Sequence, residues 1–328
     1  MDDGEDAKPK LDESAVTHPL TGVVGACLTP FDGEGAIDFD ALAAEVEFMA
    51  SHVDAIAVGG VEASEYRLLT EQQRSDLIRI GIESVDRRVA TVSGASSGTV
   101  SDVLRWIECG ADAGAEYAQV LMPRNAWGGL LGPAELLDFF TAIDAATPLP
   151  IVLYHNPSTG SDPDIGTLVE LSRLDQVVAY KESSRDISKI SRLIHEMDLA
   201  GHAAYLATMQ PMLITLLLGG SGATMPPPGT VIAARIRDAA ASGDVDGAIQ
   251  WQRLFAFFPG VWGSHGLANV MKAASRHLGL DLGFSHHPVA KLPEEADRRL
   301  GEFLRGCGIV EGIPAGESEL LRLARGTD

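Results

Sequence analysis

Cysteine is scarce in this 328-residue chain: Cys27, Cys109 and Cys307 are odd in number, far apart and without CxxC spacing. That pattern argues against a disulfide framework and a cysteine-held zinc site, and it fits a reducing, cytoplasmic setting. Lysine is also rare, six residues beside 19 arginines, and the 25 basic side chains face 46 acidic ones for a net charge of −21. Nucleic acids and anionic membranes are recognised through concentrated positive charge, so neither is an expected partner. No stretch approaches the roughly 18 to 20 uninterrupted apolar residues of a membrane span. The opening segment, MDDGEDAKPKLDESAVTHP, has neither a basic n-region nor an apolar core, so it does not read as a secretory leader. Its composition predicts a disordered acidic tail over residues 1–19.

What remains is a chain that is 45% hydrophobic and long enough for one large domain with an appendage. Short apolar runs alternate with helix-patterned stretches. The runs lie at 22–29, 55–58, 89–94, 117–122, 150–155, 177–181, 203–207 and 221–225. Seven helical patterns lie between them, with start signals at Asp38, Thr70 and Pro133. Repeated strand–helix units of this kind predict an α/β fold, a (β/α)8 TIM barrel over residues 20–228. Beyond the MPPPG punctuation at 225–229 every pattern is helical, which predicts a C-terminal helical extension over 229–328.

A barrel places its reactive groups at the C-terminal ends of its strands. Lys181 ends the sixth predicted strand and Tyr154 the fifth, so a lysine and a tyrosine would enter one mouth. Thr29 ends the first strand, Ser64 and Glu65 follow the second, and Thr224 lies in the eighth. A lysine at an apolar rim has a specific use. Burial disfavours the ammonium, lowers its pKa and yields an amine that condenses with a carbonyl to form a Schiff base. The residues alone also allow Lys181 to reach water or to pair with Glu182 or Asp186, and allow Tyr154 simply to cover the barrel end. GASSG (94–98) and GGSG (219–222) lack the context of phosphate-binding loops and read as turns. SHH at 285–287 lacks further ligands at metal spacing, so no metal site is expected.

Taken together, the motifs resemble the dihydrodipicolinate synthase and N-acetylneuraminate lyase family of class I aldolases. GVVGACLTPFDGEGAIDFDAL is similar to that family's opening strand and loop, LLTEQQR to the start of its second helix, PIVLYHNPSTG to its tyrosine motif, VVAYKESS to its lysine strand, and ANVMKAASRHLGL to a late helix. The resemblance covers roughly residues 20 to 310. It implies a (β/α)8 barrel with a helical extension, commonly a homotetramer, with Lys181 as the imine-forming lysine and Tyr154 as its proton relay. It also implies a 2-oxo acid substrate and no metal or organic cofactor.

The departures lie in the loops. Where the family carries GTTGE, whose hydroxyls and N–H groups hold the oxo-acid carboxylate, this chain has VEASE at 61–65. Glu62 and Ala63 replace the two hydroxyl residues, Ser64 the glycine, and only Glu65 matches. Backbone N–H groups can still bind a carboxylate at Ala63 and Ser64, but Glu62 would repel one if it faced inward. The synthase's PYY is PRN here, Pro123, Arg124 and Asn125, and Thr159 falls where the synthase has an arginine. Synthesis of dihydrodipicolinate is therefore disfavoured. Arg124 offers a planar fork to a substrate carboxylate or phosphate, with Asn125 beside it, and His155 a donor to a departing oxygen; a surface arginine and an outward histidine are the alternatives. The expected activity is cleavage or formation of a C–C bond between pyruvate and an aldehyde, as in a 2-keto-3-deoxy sugar acid. Dehydration of such an acid through the same imine, or non-catalytic binding of an oxo acid, are the other readings.

Overall fold

The computed structural model describes residues 16–286 and 289–325. The acidic segment through residue 15, and His287 of the SHH stretch, lie outside the described residues. Eight strands, β1 (Gly22–Ala26), β2 (Ala55–Val58), β3 (Ala90–Gly94), β4 (Tyr117–Leu121), β5 (Ile151–His155), β6 (Val177–Glu182), β7 (Ala204–Ala207) and β8 (Gly222–Met225), close into one parallel barrel in sequence order. Each is followed by a helix: α1 (Phe39–Ala50), α2 (Glu71–Val85), α3 (Val100–Asp112), α4 (Pro133–Asp144), α5 (Ile165–Leu171), α6 (Ile187–Leu193), α7 (Met212–Leu217) and α8 (Gly229–Ala241). The predicted TIM barrel is present, with its predicted strands in place.

Local chemistry sets the helix starts. Asp38 accepts from the N–H of Ala41, Thr70 and Gln73 form a reciprocal capping box, and Pro133 opens α4 where a missing N–H does no harm. Residues alternate between two cores. Val24, Ala55, Ala57, Val92, Val152, Ala179, Ala204 and Leu206 fill the barrel interior with small side chains, while a larger core of Leu, Ile, Val and Phe lies between strands and helices. Each fully buried Leu, Ile or Phe there contributes roughly 1.5–3 kcal/mol. Gly94 is required where β3 meets the β2 loop, because a Cβ would lie 1.8 Å from the Gly59 carbonyl oxygen.

The two ends of the barrel are packed as follows. His18, expected in the tail, sits 3.0 Å from Asp198, and Tyr117 donates to the Pro19 carbonyl at 3.0 Å, so the chain joins the barrel by residue 18. At the other end α8 packs on β1, β8 and α7 as the eighth barrel helix. The extension proper is then α9 (Val245–Gln252), α10 (Leu254–Phe257), α11 (Leu267–His277), α12 (Glu294–Gly306) and α13 (Glu317–Arg325). Its α11 returns to the barrel mouth and touches the 3-10 turn Glu62–Ser64. Among the described residues no helix is long and apolar enough to cross a membrane.

Candidate active site

Strand parity decides which side chains reach the mouth. On β5, Val152 and Tyr154 face inward; on β6, Ala179 and Lys181 do, and Tyr154 and Lys181 are register partners. A bulge makes this possible. Ile151 pairs with Val177 but Val152 pairs with Ala179, so Val178 is an extra residue that resets the parity of β6 and turns Lys181 into the barrel.

Lys181 is 5% exposed. Its Nζ donates to Ser183 Oγ at 2.6 Å and lies 4.0 Å from the centre of the Tyr154 ring. Burial pushes its pKa down to about 8; the Glu62 and Glu182 charges hold it up in part, and Arg185 lowers it further. Neither of the carboxylates that could have paired with it does so. Glu182 faces the opposite side of β6, and Asp186 caps α6, accepting from the N–H groups of Ser188 and Lys189.

A cavity of about 470 Å³ opens above this pair, within the range of small-molecule sites. Of the sequence-predicted residues, Lys181, Tyr154, Ala63 and Thr224 line it. The Thr224 hydroxyl is buried there without a hydrogen-bond partner among the described residues. Glu62, Asn156, Ser183, Arg185 and Thr208 also line it and were not singled out as binding residues from sequence. Period-two counting beyond Lys181 would have found Ser183.

Glu62 faces inward, the orientation its charge made unwelcome in the sequence reading. The Tyr154 hydroxyl donates to its Oε2, Asn156 Nδ2 donates to the same oxygen at 3.3 Å, and Thr159 Oγ1 donates to Oε1 at 2.7 Å. Burial first, and the Glu62 charge next, push the Tyr154 phenol well above its ordinary value. The phenol is thus held protonated against a carboxylate.

The structure removes the other predicted residues from the cavity, each for a visible reason. Thr29 donates its hydroxyl to the Ser64 carbonyl, and Ser64 donates its own to the Val61 carbonyl at 2.5 Å, so both hold the β2 loop rather than a ligand. Glu65, in the left-handed region at φ 54°, accepts from Lys272 Nζ at 2.6 Å and from the N–H of His286 at 3.0 Å. It clamps the extension to the barrel. Arg124 donates Nε to the Gly160 carbonyl at 2.9 Å and Nη2 to the carbonyls of Pro157 and Ser158, and with Asn125 it lines a separate cavity beside Tyr66 and Arg74. Asn125 Oδ1 accepts from the N–H of Trp127. His155, one residue past Tyr154, faces outward and is fully buried, 2.8 Å from Glu182 Oε1 and 3.0 Å from Asp162. Burial would raise the Glu182 carboxyl, but the His155 and Lys189 contacts and the Tyr180 hydroxyl hold it down to about 2.

Among the described residues no group of three His, Cys, Asp or Glu side chains could hold a metal ion.

Comparison with known proteins places the chain in a family. The sequence model of the dihydrodipicolinate synthetase family matches residues 19–306. A 4-hydroxy-tetrahydrodipicolinate synthase of Acidothermus cellulolyticus is 29% identical over 89% of this chain and 94% of that protein. One from Methanothermobacter thermautotrophicus is 32% identical over 53% of this chain and 61% of that protein. The crystal structure of dihydrodipicolinate synthase DapA-2 from Bacillus anthracis superposes with a TM-score of 0.80 at 24% identity, covering 91% of this chain and all of that one, which speaks for the fold. With the match spanning the barrel and most of its extension, the chain belongs to the dihydrodipicolinate synthetase family of Schiff-base, pyruvate-dependent lyases.

Proposed function

We propose that the protein is a lyase in which Lys181 forms an imine with a 2-oxo acid and Tyr154 moves protons while a C–C bond to an aldehyde is made or broken. The observation that carries this reading is the buried Lys181 amine, pushed down to about 8 and facing Tyr154 in a cavity of small-molecule size. The protonated imine draws in the electrons released when the bond breaks and holds them as an enamine, so the reaction needs no other electron sink. With Glu62 turned inward, the partners proposed for the substrate carboxylate are the orphaned Thr224 hydroxyl, the N–H of Ala63 and the Nη2 of Arg185, whose Nε and Nη1 are held by Gln210 Oε1 and the Ser183 carbonyl. Those three groups are its proposed binding set.

The substrate proposed is a 2-keto-3-deoxy sugar acid rather than aspartate semialdehyde. Thr159 replaces the arginine that the synthase resemblance calls for, and Arg124 is held by backbone carbonyls outside the cavity. Dehydration of the same acid is the second reading, favoured by a carboxylate beside the site of proton removal. The assembly proposed is a homotetramer, and the compartment a reducing cytoplasm, in keeping with three free cysteines.

Product analysis with 2-keto-3-deoxy sugar acids is the test. Pyruvate plus an aldehyde supports cleavage, a single dehydrated oxo acid supports dehydration, and no turnover of any member of the class counts against both. Tyr154→Phe is expected to slow turnover by roughly 10²- to 10⁴-fold. An unchanged rate removes Tyr154 from the mechanism.

A further inference from the structure

The geometry points to Glu62 as the terminal base of the proton relay, the group that stores the proton Tyr154 passes on. This rests on the imine reading above and adds to it a residue and a direction of proton flow.

Two observations carry it. Tyr154 donates its only proton to Glu62 Oε2, while its oxygen accepts from Asn156 Nδ2 at 3.3 Å and from Ser183, and its ring lies against Lys181 Nζ in the cavity. A buried phenol that stays protonated is a poor base by itself, but it can receive a proton on oxygen as it hands its own to a neighbour. The carboxylate is also held for that task from the other side. Thr159 donates to Oε1 and Asn156 to Oε2, so Glu62 faces donors only. An alcohol in this place would pass a proton on; a carboxylate can keep one. The charged and titratable groups around it are Tyr154 on β5, Lys181 on β6 and Arg67 just after the 3-10 turn.

The step balances without any outside reagent. On the pyruvate imine, a C3–H bond breaks and its electrons form the C2=C3 bond, while the C2=N pair moves to nitrogen and gives the enamine. The proton goes to the Tyr154 oxygen, and the original phenolic proton goes to Glu62. Reversal returns a proton to C3. In C–C cleavage the same relay takes the proton of the C4 hydroxyl as the C3–C4 bond breaks, and Glu62 gives it back to C3 of the enamine.

The test uses pyruvate alone, so it does not depend on knowing the aldehyde. Exchange of the pyruvate methyl protons in D2O is followed by proton NMR, and borohydride trapping of pyruvate on Lys181 is followed by mass spectrometry. For Glu62→Gln, which keeps the size and an acceptor for Tyr154 and turns its NH2 toward the Thr159 hydroxyl, an oxygen able to accept, trapping is expected to stay within about threefold of wild type while exchange falls at least about 100-fold. Glu62→Asp, which restores a carboxylate, is expected to recover at least about tenfold of that loss. Exchange by the Gln variant within about threefold of wild type, with trapping intact, overturns the inference. So does an equal loss of trapping and exchange in both variants, which is the signature of a merely structural role. A wild-type protein that fails to trap pyruvate takes down the imine reading first, and the inference with it.

Discussion

Lys181 shows what the fold gives up to hold a reactive amine. An ordinary lysine is an ammonium up to about pH 10.4, and burial brings Lys181 down to about 8. A lysine whose folded pKa is lowered contributes nothing above the unfolded value, destabilises progressively as pH falls from there to about 8, and destabilises fully below it. The shift corresponds to about 3 kcal/mol. Lys181→Met is therefore expected to raise stability by up to about 3 kcal/mol at pH 6, with the gain fading toward pH 10, while activity disappears. Urea unfolding at the two pH values checks it, and a variant less stable than wild type at pH 6 contradicts it. The chemistry of Lys181 and Tyr154 was legible because both end apolar runs. The role of Glu62 was not, because sequence gives no orientation for a side chain in an irregular turn.

At the scale of elements, small backbone features aim the side chains. The extra residue Val178 in β6 turns Lys181 inward, and nothing in VVAYKESS marks that bulge in advance. His155 takes the outward orientation, one of the two that the sequence left open. Strand parity alone puts it opposite Tyr154, and its partner Glu182 lies opposite Lys181 on the facing register position. Glu65 and Arg124 look like ligand-binding residues in a linear reading because their partners are remote: Lys272 is far along the chain, and Arg124 binds carbonyls of the β5 loop. The Glu65–Lys272 pair fastens α11 to the turn that carries Glu62, with both side chains almost wholly buried. Lys272→Met leaves a buried carboxylate without its cation and is expected to destabilise by about 3–5 kcal/mol. The same variant should lose activity ahead of unfolding as the turn loosens. Chemical denaturation and turnover assays check both, and a change under about 1 kcal/mol would show the clamp to be dispensable.

For the whole molecule, the alternation of strands and helices announced the barrel, since each parallel strand needs a crossover helix to cover it. The mouth was less legible. Barrel loops are free to vary while the strands stay put, so the residues that choose a substrate sit where periodicity says least. The small Val and Ala interior leaves the mouth to the larger side chains above it, and Tyr154, Lys181 and Glu62 meet there from two strands and one turn. All readings of this site except non-catalytic binding pass through a covalent imine. Borohydride reduction in the presence of pyruvate, followed by peptide mapping, addresses that bond directly. The account predicts one reduced pyruvate adduct on Lys181, formed faster as pH approaches 8 and absent in Lys181→Met. An adduct on another lysine, or none under conditions where a known aldolase of this family traps, would contradict it.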